Sequence, residues 1–263
     1  VIAREPGIYF SLLRLPSIGG MLRCVERALR DQDHLAAGRM ASPVFAQLAL
    51  ELWHLDQFER EMRLPIGRGK LVTEIGGWWD DVPAGMDTLV MAPSGLYYAQ
   101  RSGQETAPVD TTRPWASDIR DGIKLAHVDV NPLAVNEAHP DKEGNEVNFG
   151  DQSPQSWVGS LDTALALIEE AMPSLYEEMK VVLRTIVPVG VDEQKHLSAS
   201  YQEVIGSIYL SLHPNPMTMA EALIHEFSHT KLNTLANFDP ILANAFAPLF
   251  PSPYRPDPRP LHG

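Results

Sequence analysis

Val204-Ile205-Gly206-Ser207-Ile208-Tyr209-Leu210-Ser211-Leu212, followed after a short break by Thr218 to Phe238 with His225-Glu226-Phe227-Ser228-His229 at its centre, is the stretch on which the fold turns. In the first segment Ile205, Ser207, Tyr209 and Ser211 alternate with Gly206, Ile208, Leu210 and Leu212, the two-residue period of a strand. In the second, Leu223, Ile224, Phe227, Leu232 and Leu235 recur at helical spacing, and Thr218 with Glu221 reads as a capping box after Pro216. The predicted helix starts near Thr218 and ends before Asp239-Pro240, because a residue preceding proline is steered away from helical angles. A strand therefore feeds a helix. Steps of four along that helix put Glu221, His225, His229 and Asn233 on one side, and two imidazoles one turn apart can grip one metal ion. Zinc and iron are the candidates, since imidazole suits both.

Outward from this unit, a second strand is expected over Thr185 to Val189, preceded by a long helix from Ser160 to Arg184 that Pro173 kinks or divides. The polar stretch from Asn136 to Ser156 reads as a surface loop. Short apolar runs at Thr88 to Met91 and Gly95 to Tyr98, punctuated by glycine and proline between Gly67 and Gln100, read as strands and turns. The N-terminal part is helical in pattern, roughly Gly19 to Arg30 and Ser42 to Arg63, the latter with an apolar face that includes Phe45, Leu48, Leu52, Trp53 and Phe58. The expected fold is α+β, mainly helical with a small mixed or antiparallel sheet, and the metal lies on a central helix carrying the HExxH motif. Residues 1–263 are read as a single catalytic domain, a fragment of a longer or fused protein.

The chain has 34 acidic against 21 basic residues, a formal charge of -13, which disfavours nucleic acid and anionic membrane as partners. No apolar run approaches the length of a membrane span. The single cysteine, Cys24, rules out a disulfide within this chain, reads as helix packing, and fits a reducing, cytoplasmic setting.

With Glu226 between the histidines, the motif is that of zinc metallopeptidases, in which the glutamate would act as general base on metal-bound water. That chemistry needs a third ligand. Leu232 and Leu235 stand where the metzincin extension needs glycine and histidine, and no glutamate follows Glu226, so the common continuations are excluded. Asp239 and Asp257 are the remaining acids, and His262 is a nitrogen donor on a proline-stiffened tail that would have to fold back; His262 ranks first and Asp239 second. Glu221 is explained by the cap. A rival constellation, His127-Val128-Asp129 with His196 or His213, has the H-x-D pattern of jelly-roll oxygenases, but such a fold needs about eight strands and the chain looks too helical. His127 and Asp129 are therefore read as structural or substrate-side. Trp78-Trp79-Asp80-Asp81 could line a peptide groove but reads as packing and turn.

The string Leu223 to Asn233, together with Tyr254-Arg255-Pro256-Asp257-Pro258-Arg259-Pro260-Leu261-His262-Gly263, resembles the HExxH peptide-modification family of bacterial natural-product clusters. The resemblance covers about the last fifth of the chain. Members are iron- and 2-oxoglutarate-dependent peptide beta-hydroxylases, sometimes fused to a radical SAM domain. The resemblance implies that His225 and His229 hold Fe(II), that the third ligand comes from the His262-Gly263 segment, and that Glu226 orients an imidazole or a bound water instead of acting as a hydrolytic base. It also implies a cation for the distal carboxylate of 2-oxoglutarate. Arg259 is the first candidate and Arg255 the second, with Asn233 grouped beside them as cofactor-binding. The expected substrate is a ribosomally made precursor peptide in a bacterial cytoplasm, and a radical SAM enzyme is a possible fused or associated partner. Zinc peptide hydrolysis and a catalytically inactive peptide-binding domain are the alternatives.

Overall fold

The computed structural model describes residues 12–13, 15–55, 60–66, 70–100, 106–109, 113–131, 146–194, 196–238 and 251. Two helices open it, α1 (Pro16–Arg30) and α2 (His34–His54), packed against each other. The second starts eight residues before the expected Ser42, because the Asp33 side chain accepts from the Ala36 amide at 2.8 Å and caps a turn of small and polar residues that carries little apolar signal. It also ends before Arg63. Met62–Pro65 is instead strand β1, drawn into an antiparallel sheet by pairing with a strand more than twenty residues downstream.

The strands β2 (Lys70–Thr73) and β3 (Gly77–Asp81) form a hairpin, and β4 (Thr88–Ala92), β5 (Gly95–Ala99) and β6 (Thr106–Pro108) complete a four-stranded sheet in the order β1-β4-β5-β6. Ala49 and Leu50 of α2 pack on Leu89, Met91, Leu96 and Tyr98 of that sheet, a small core of its own. The strands expected at Thr88 to Met91 and Gly95 to Tyr98 are β4 and β5.

A larger core is built on a five-stranded sheet. It contains β7 (Ala116–Arg120), β8 (Ile123–Ala126), β9 (Thr185–Val191), β10 (Ser198–Ser200) and β11 (Ser207–Leu212), in the order β10-β11-β9-β8-β7. The β7-β8 hairpin turns at Asp121-Gly122, both with positive φ (50° and 84°), the conformation that suits Asp-Gly in a two-residue turn. β9 runs parallel to both β8 and β11, and β10 lies antiparallel on the outer edge. Gly206 precedes β11 with φ of 95°, and a Cβ there would meet the Val182 carbonyl oxygen at 2.9 Å, so glycine is what lets the chain pass.

The two faces of this sheet follow from strand alternation. Ile123, Leu125, Ile186, Ile208, Leu210 and Leu212 point into a core shared with three helices, α3 (Pro154–Ala171), α4 (Pro173–Val182) and α5 (Pro216–Phe238). Trp115, Ala126, Val128, Val187, Val189 and Tyr209 form a second cluster on the other face. Pro173 divides the long helix as expected, and Ser153, accepting from the Ser156 amide at 3.1 Å, starts α3 inside what the sequence suggested was loop. Fully buried Trp157, Leu161, Leu165, Tyr176, Met219, Leu223 and Phe227 seat the three helices on the sheet. The fold is α+β, with more sheet than the single small one expected, because the strands of the N-terminal sheet and of the β7-β8 hairpin pair over distances that local patterning does not report. Among the described residues no helix is long and apolar enough to cross a membrane.

Candidate metal centre

α5 begins two residues earlier than the capping-box reading placed it. Asn215 caps it, its carbonyl accepting from Met219 N at 3.2 Å and its side-chain oxygen from Met217 N at 2.9 Å, with Pro216 at the first helical position. Thr218 is thus inside the helix, and capping does not account for Glu221, which is exposed. The core-facing side of α5 carries Met219, Ala222, Leu223, Phe227 and Thr230. Leu232 and Leu235, expected on that side, are 43% and 50% exposed, because the core ends near Thr230 and the last turns project beyond it. Lys231 forms an ion pair with Glu178 of α4 and so ties the two helices together.

His225 and His229 lie on the outward side, the first with 52% of its side chain exposed and the second half-buried, and Asn233 follows half-buried one turn on. The two Nε2 atoms are 3.2 Å apart, with ring planes at 78°. Two bonds of about 2.1 Å to one ion, at an angle of roughly 90–110°, require the nitrogens to stand ~3.0–3.4 Å apart. The pair therefore has the bite of a chelate. The same distance also accommodates a hydrogen bond between the rings, with one donating.

Glu226 is set about 100° around the helix from His225 and falls on the core side. It is 2% exposed, its Oε1 stands 4.0 Å from His225 Nε2, and its Oε2 has no partner among the described residues. A buried carboxylate oxygen without a partner is costly. A cation, or a water held by one, at the histidine pair would offset that cost, so the donor set fits a metal on this observation as well as on the nitrogen spacing.

Two further imidazoles adjoin the start of α5. His213, at the end of β11, accepts from the Asn215 amide through Nδ1 at 3.0 Å, and its ring centre lies 6.5 Å from that of His196. Burial depresses the His196 pKa most. The Ser211 carbonyl it donates to acts the other way, as do Glu221 and Glu226, while His213 depresses it further. Its Nε2 is buried and has no partner among the described residues. The sequence set His196 and His213 against His127 and Asp129; in the structure His196 stands in the field of the α5 carboxylates. The signal that could have found this is proximity in the chain, since β10, β11 and α5 are consecutive.

The H-x-D pair is spent on internal bonds. His127 Nε2 contacts Ser117 Oγ at 2.8 Å, and its ring also bonds the Pro114 backbone; burial lowers its pKa. Asp129 is 1% exposed, accepting from Asn131 N at 2.8 Å and from Tyr209 Oη at 2.9 Å. Both side chains are engaged within the fold. Trp78 to Asp81 lie within β3, and their side chains are outside what the structure describes. Arg255, Arg259, His262 and Asp239 lie outside the described residues, so the structure brings together His225, His229, Glu226 and Asn233 and leaves the tail residues unplaced. Among the described residues no group of three or more His, Cys, Asp or Glu side chains is arranged to hold a metal.

In comparison with known proteins, no family model matches this chain and no curated protein matches it. The likeness to the peptide-modifying family thus rests on the C-terminal strings alone.

Proposed function

We propose that this chain is a mononuclear metal enzyme in which His225 and His229 hold Fe(II), and that it hydroxylates a side-chain beta-carbon of a ribosomally made precursor peptide with 2-oxoglutarate and dioxygen. The observation that carries the metal is the 3.2 Å separation of the two Nε2 atoms on the outward side of α5. The family likeness carries the choice of iron and of reaction. When bound, the metal and its cosubstrate would supply the oxidising power. The chain's own residues bind and position. His225 and His229 would hold the metal from a helix anchored by Leu223 and Phe227, so packing of that helix positions both imidazoles. Glu226, held rigidly beside Phe227, orients the His225 ring or a water near it. His262 is proposed as third ligand, with Arg259, Arg255 and Asn233 meeting the cosubstrate, and a bacterial cytoplasmic setting and a radical SAM partner belong to the same proposal.

A second reading, zinc-dependent peptide hydrolysis, is favoured by the burial of Glu226 with one unpartnered oxygen, a carboxylate placed to take a proton from a neighbouring water. One experiment separates them. Protein loaded anaerobically with Fe(II), then given 2-oxoglutarate, oxygen and the precursor peptide encoded beside it, should release succinate and add one oxygen mass to the peptide. Peptide fragments formed with zinc in the absence of oxygen would establish the hydrolase instead, and peptide binding unaffected by His225→Ala with no turnover would establish the inactive binding domain.

A further inference from the structure

His196 and Glu226 each end in a buried polar atom with no partner among the described residues, Nε2 of the one and Oε2 of the other. The fold brings these two side chains into one neighbourhood. Leu197, next to His196, is locked to β11: its carbonyl accepts from Ser211 N at 2.8 Å, and its amide donates to Ser211 Oγ at 2.8 Å. The strand that follows, β10, packs against α5. The His196 ring lies edge-on to His213, with 6.5 Å between centres and 71° between planes. His213 in turn accepts from the amide of Asn215, the cap of α5. His196 is thereby held beside the first half of α5, where Glu221 and Glu226 are the carboxylates that act on it.

Which atoms carry hydrogen decides what can lie between the two. Because Nε2 has no partner, the nitrogen that donates to the Ser211 carbonyl is Nδ1. The ring, kept neutral chiefly by burial, therefore holds its hydrogen on Nδ1 and a bare lone pair on Nε2. The Glu226 carboxylate also only accepts. Two acceptors in one buried neighbourhood cannot bond each other, and leaving both unpaired is costly. A molecule with two O–H donors satisfies both, and bridging otherwise unpaired polar groups is the usual role of a buried water. The other Glu226 oxygen, Oε1, is the one that stands 4.0 Å from His225 Nε2. Whatever fixes Oε2 therefore also fixes the carboxylate relative to the histidine pair.

We propose that His196 is a positioning residue of the candidate metal centre: its Nε2 and Glu226 Oε2 share one water, whose two hydrogens bond both and hold the carboxylate in place beside His225. The bridge itself forms without metal, and its effect on a bound ion rests on the metal reading above. Groups that act on a metal through such a partner are worth about 10–100-fold in metal affinity.

Two measurements on the full chain test this. Zinc affinity, read by competition with a chromophoric chelator, should fall roughly 10–100-fold in His196→Leu. His196→Gln, which puts an amide oxygen near the place of Nε2, should keep most of the wild-type affinity, whereas a role in packing alone predicts no such rescue. The second measurement is made without metal. The urea midpoint shift caused by His196→Leu should be smaller in a Glu226→Leu background than in the wild type, since the bridge is already broken there. If His196→Leu loses its cooperative unfolding transition, His196→Phe, which keeps the bulk of the ring without its nitrogens, takes its place. Zinc bound by His196→Leu as tightly as by the wild type, His196→Gln as weak as His196→Leu, or additive midpoint shifts would each overturn the proposal. A wild type that takes up no zinc while the midpoint shifts stay non-additive would refute the metal reading and support the bridge.

Discussion

Replacing Glu74 by glutamine should change how the protein's stability depends on pH more than it changes the stability itself. The carboxyl is 8% exposed, and burial raises its pKa from 4.5 to about 7, with Glu51 and Asp129 adding to the rise against hydrogen bonds from Ser17. Between those two values the folded chain keeps a proton that the unfolded chain releases, so stability falls as pH climbs through the window and is level again above it. At ~1.4 kcal/mol per unit, the whole fall is roughly 3 kcal/mol. Glutamine keeps an oxygen for the Ser17 amide and has no proton to lose. Urea unfolding of both proteins at pH 5, 6, 7 and 8 should therefore show the wild type losing about 2.5 kcal/mol relative to the variant between the ends of the series, since pH 5 already lies inside the window. A difference between the two curves that stays constant with pH would refute the assignment. Glu51, whose pKa burial also raises while it accepts from Glu74 N at 2.7 Å and Ile75 N at 3.0 Å, is the control: in Glu51→Gln the fall attributable to Glu74 should persist in reduced form.

Alanine at His225 or at His229 should each abolish stoichiometric Fe(II) or Zn(II) uptake, read by metal analysis after gel filtration, because one imidazole cannot chelate. Asn215→Ala removes the side-chain acceptor at the start of α5 and should cost about 1 kcal/mol by denaturant titration. Trp157→Ala empties a site with no exposed surface and frees the Phe149 carbonyl it bonds at 3.0 Å, so a loss of roughly 3–5 kcal/mol is expected in the same assay.

The parts legible from sequence were those whose signal is local. β11 announces itself by alternation, α5 by its apolar spacing, and the α3-α4 break by Pro173, whereas the stop expected at Asp239-Pro240 lies outside the described residues. The capping-box residues Thr218 and Glu221 misplaced the start of α5 because Asn215-Pro216, just upstream, makes the same bonds earlier. Phe45 looked like a core residue of α2 yet is 68% exposed, since nothing among the described residues packs on that turn. Arg63 joined a strand because β4 supplied a partner. Asp121-Gly122 is a local hairpin signal in the sequence, and the β7-β8 turn uses it. Of the candidate site, the outward histidine pair was foreseeable from four-residue spacing, whereas the inward turn of Glu226 and the meeting of Glu51, Glu74 and Asp129 depend on which face each element buries, and that is decided only in three dimensions.

The parallel pairing of Lys124 with Thr185 has a kinetic corollary. About sixty residues, including both α3 and α4, must find their places before β8 and β9 can lie side by side, and loop closure of that length is entropically slow relative to forming a helix. The β7-β8 ribbon and the α3-α4 pair should therefore form early from short-range contacts, with β9 and β11 arriving late and their open edges bare in the interval. Refolding from denaturant should be slow and should lose yield to aggregation as protein concentration rises.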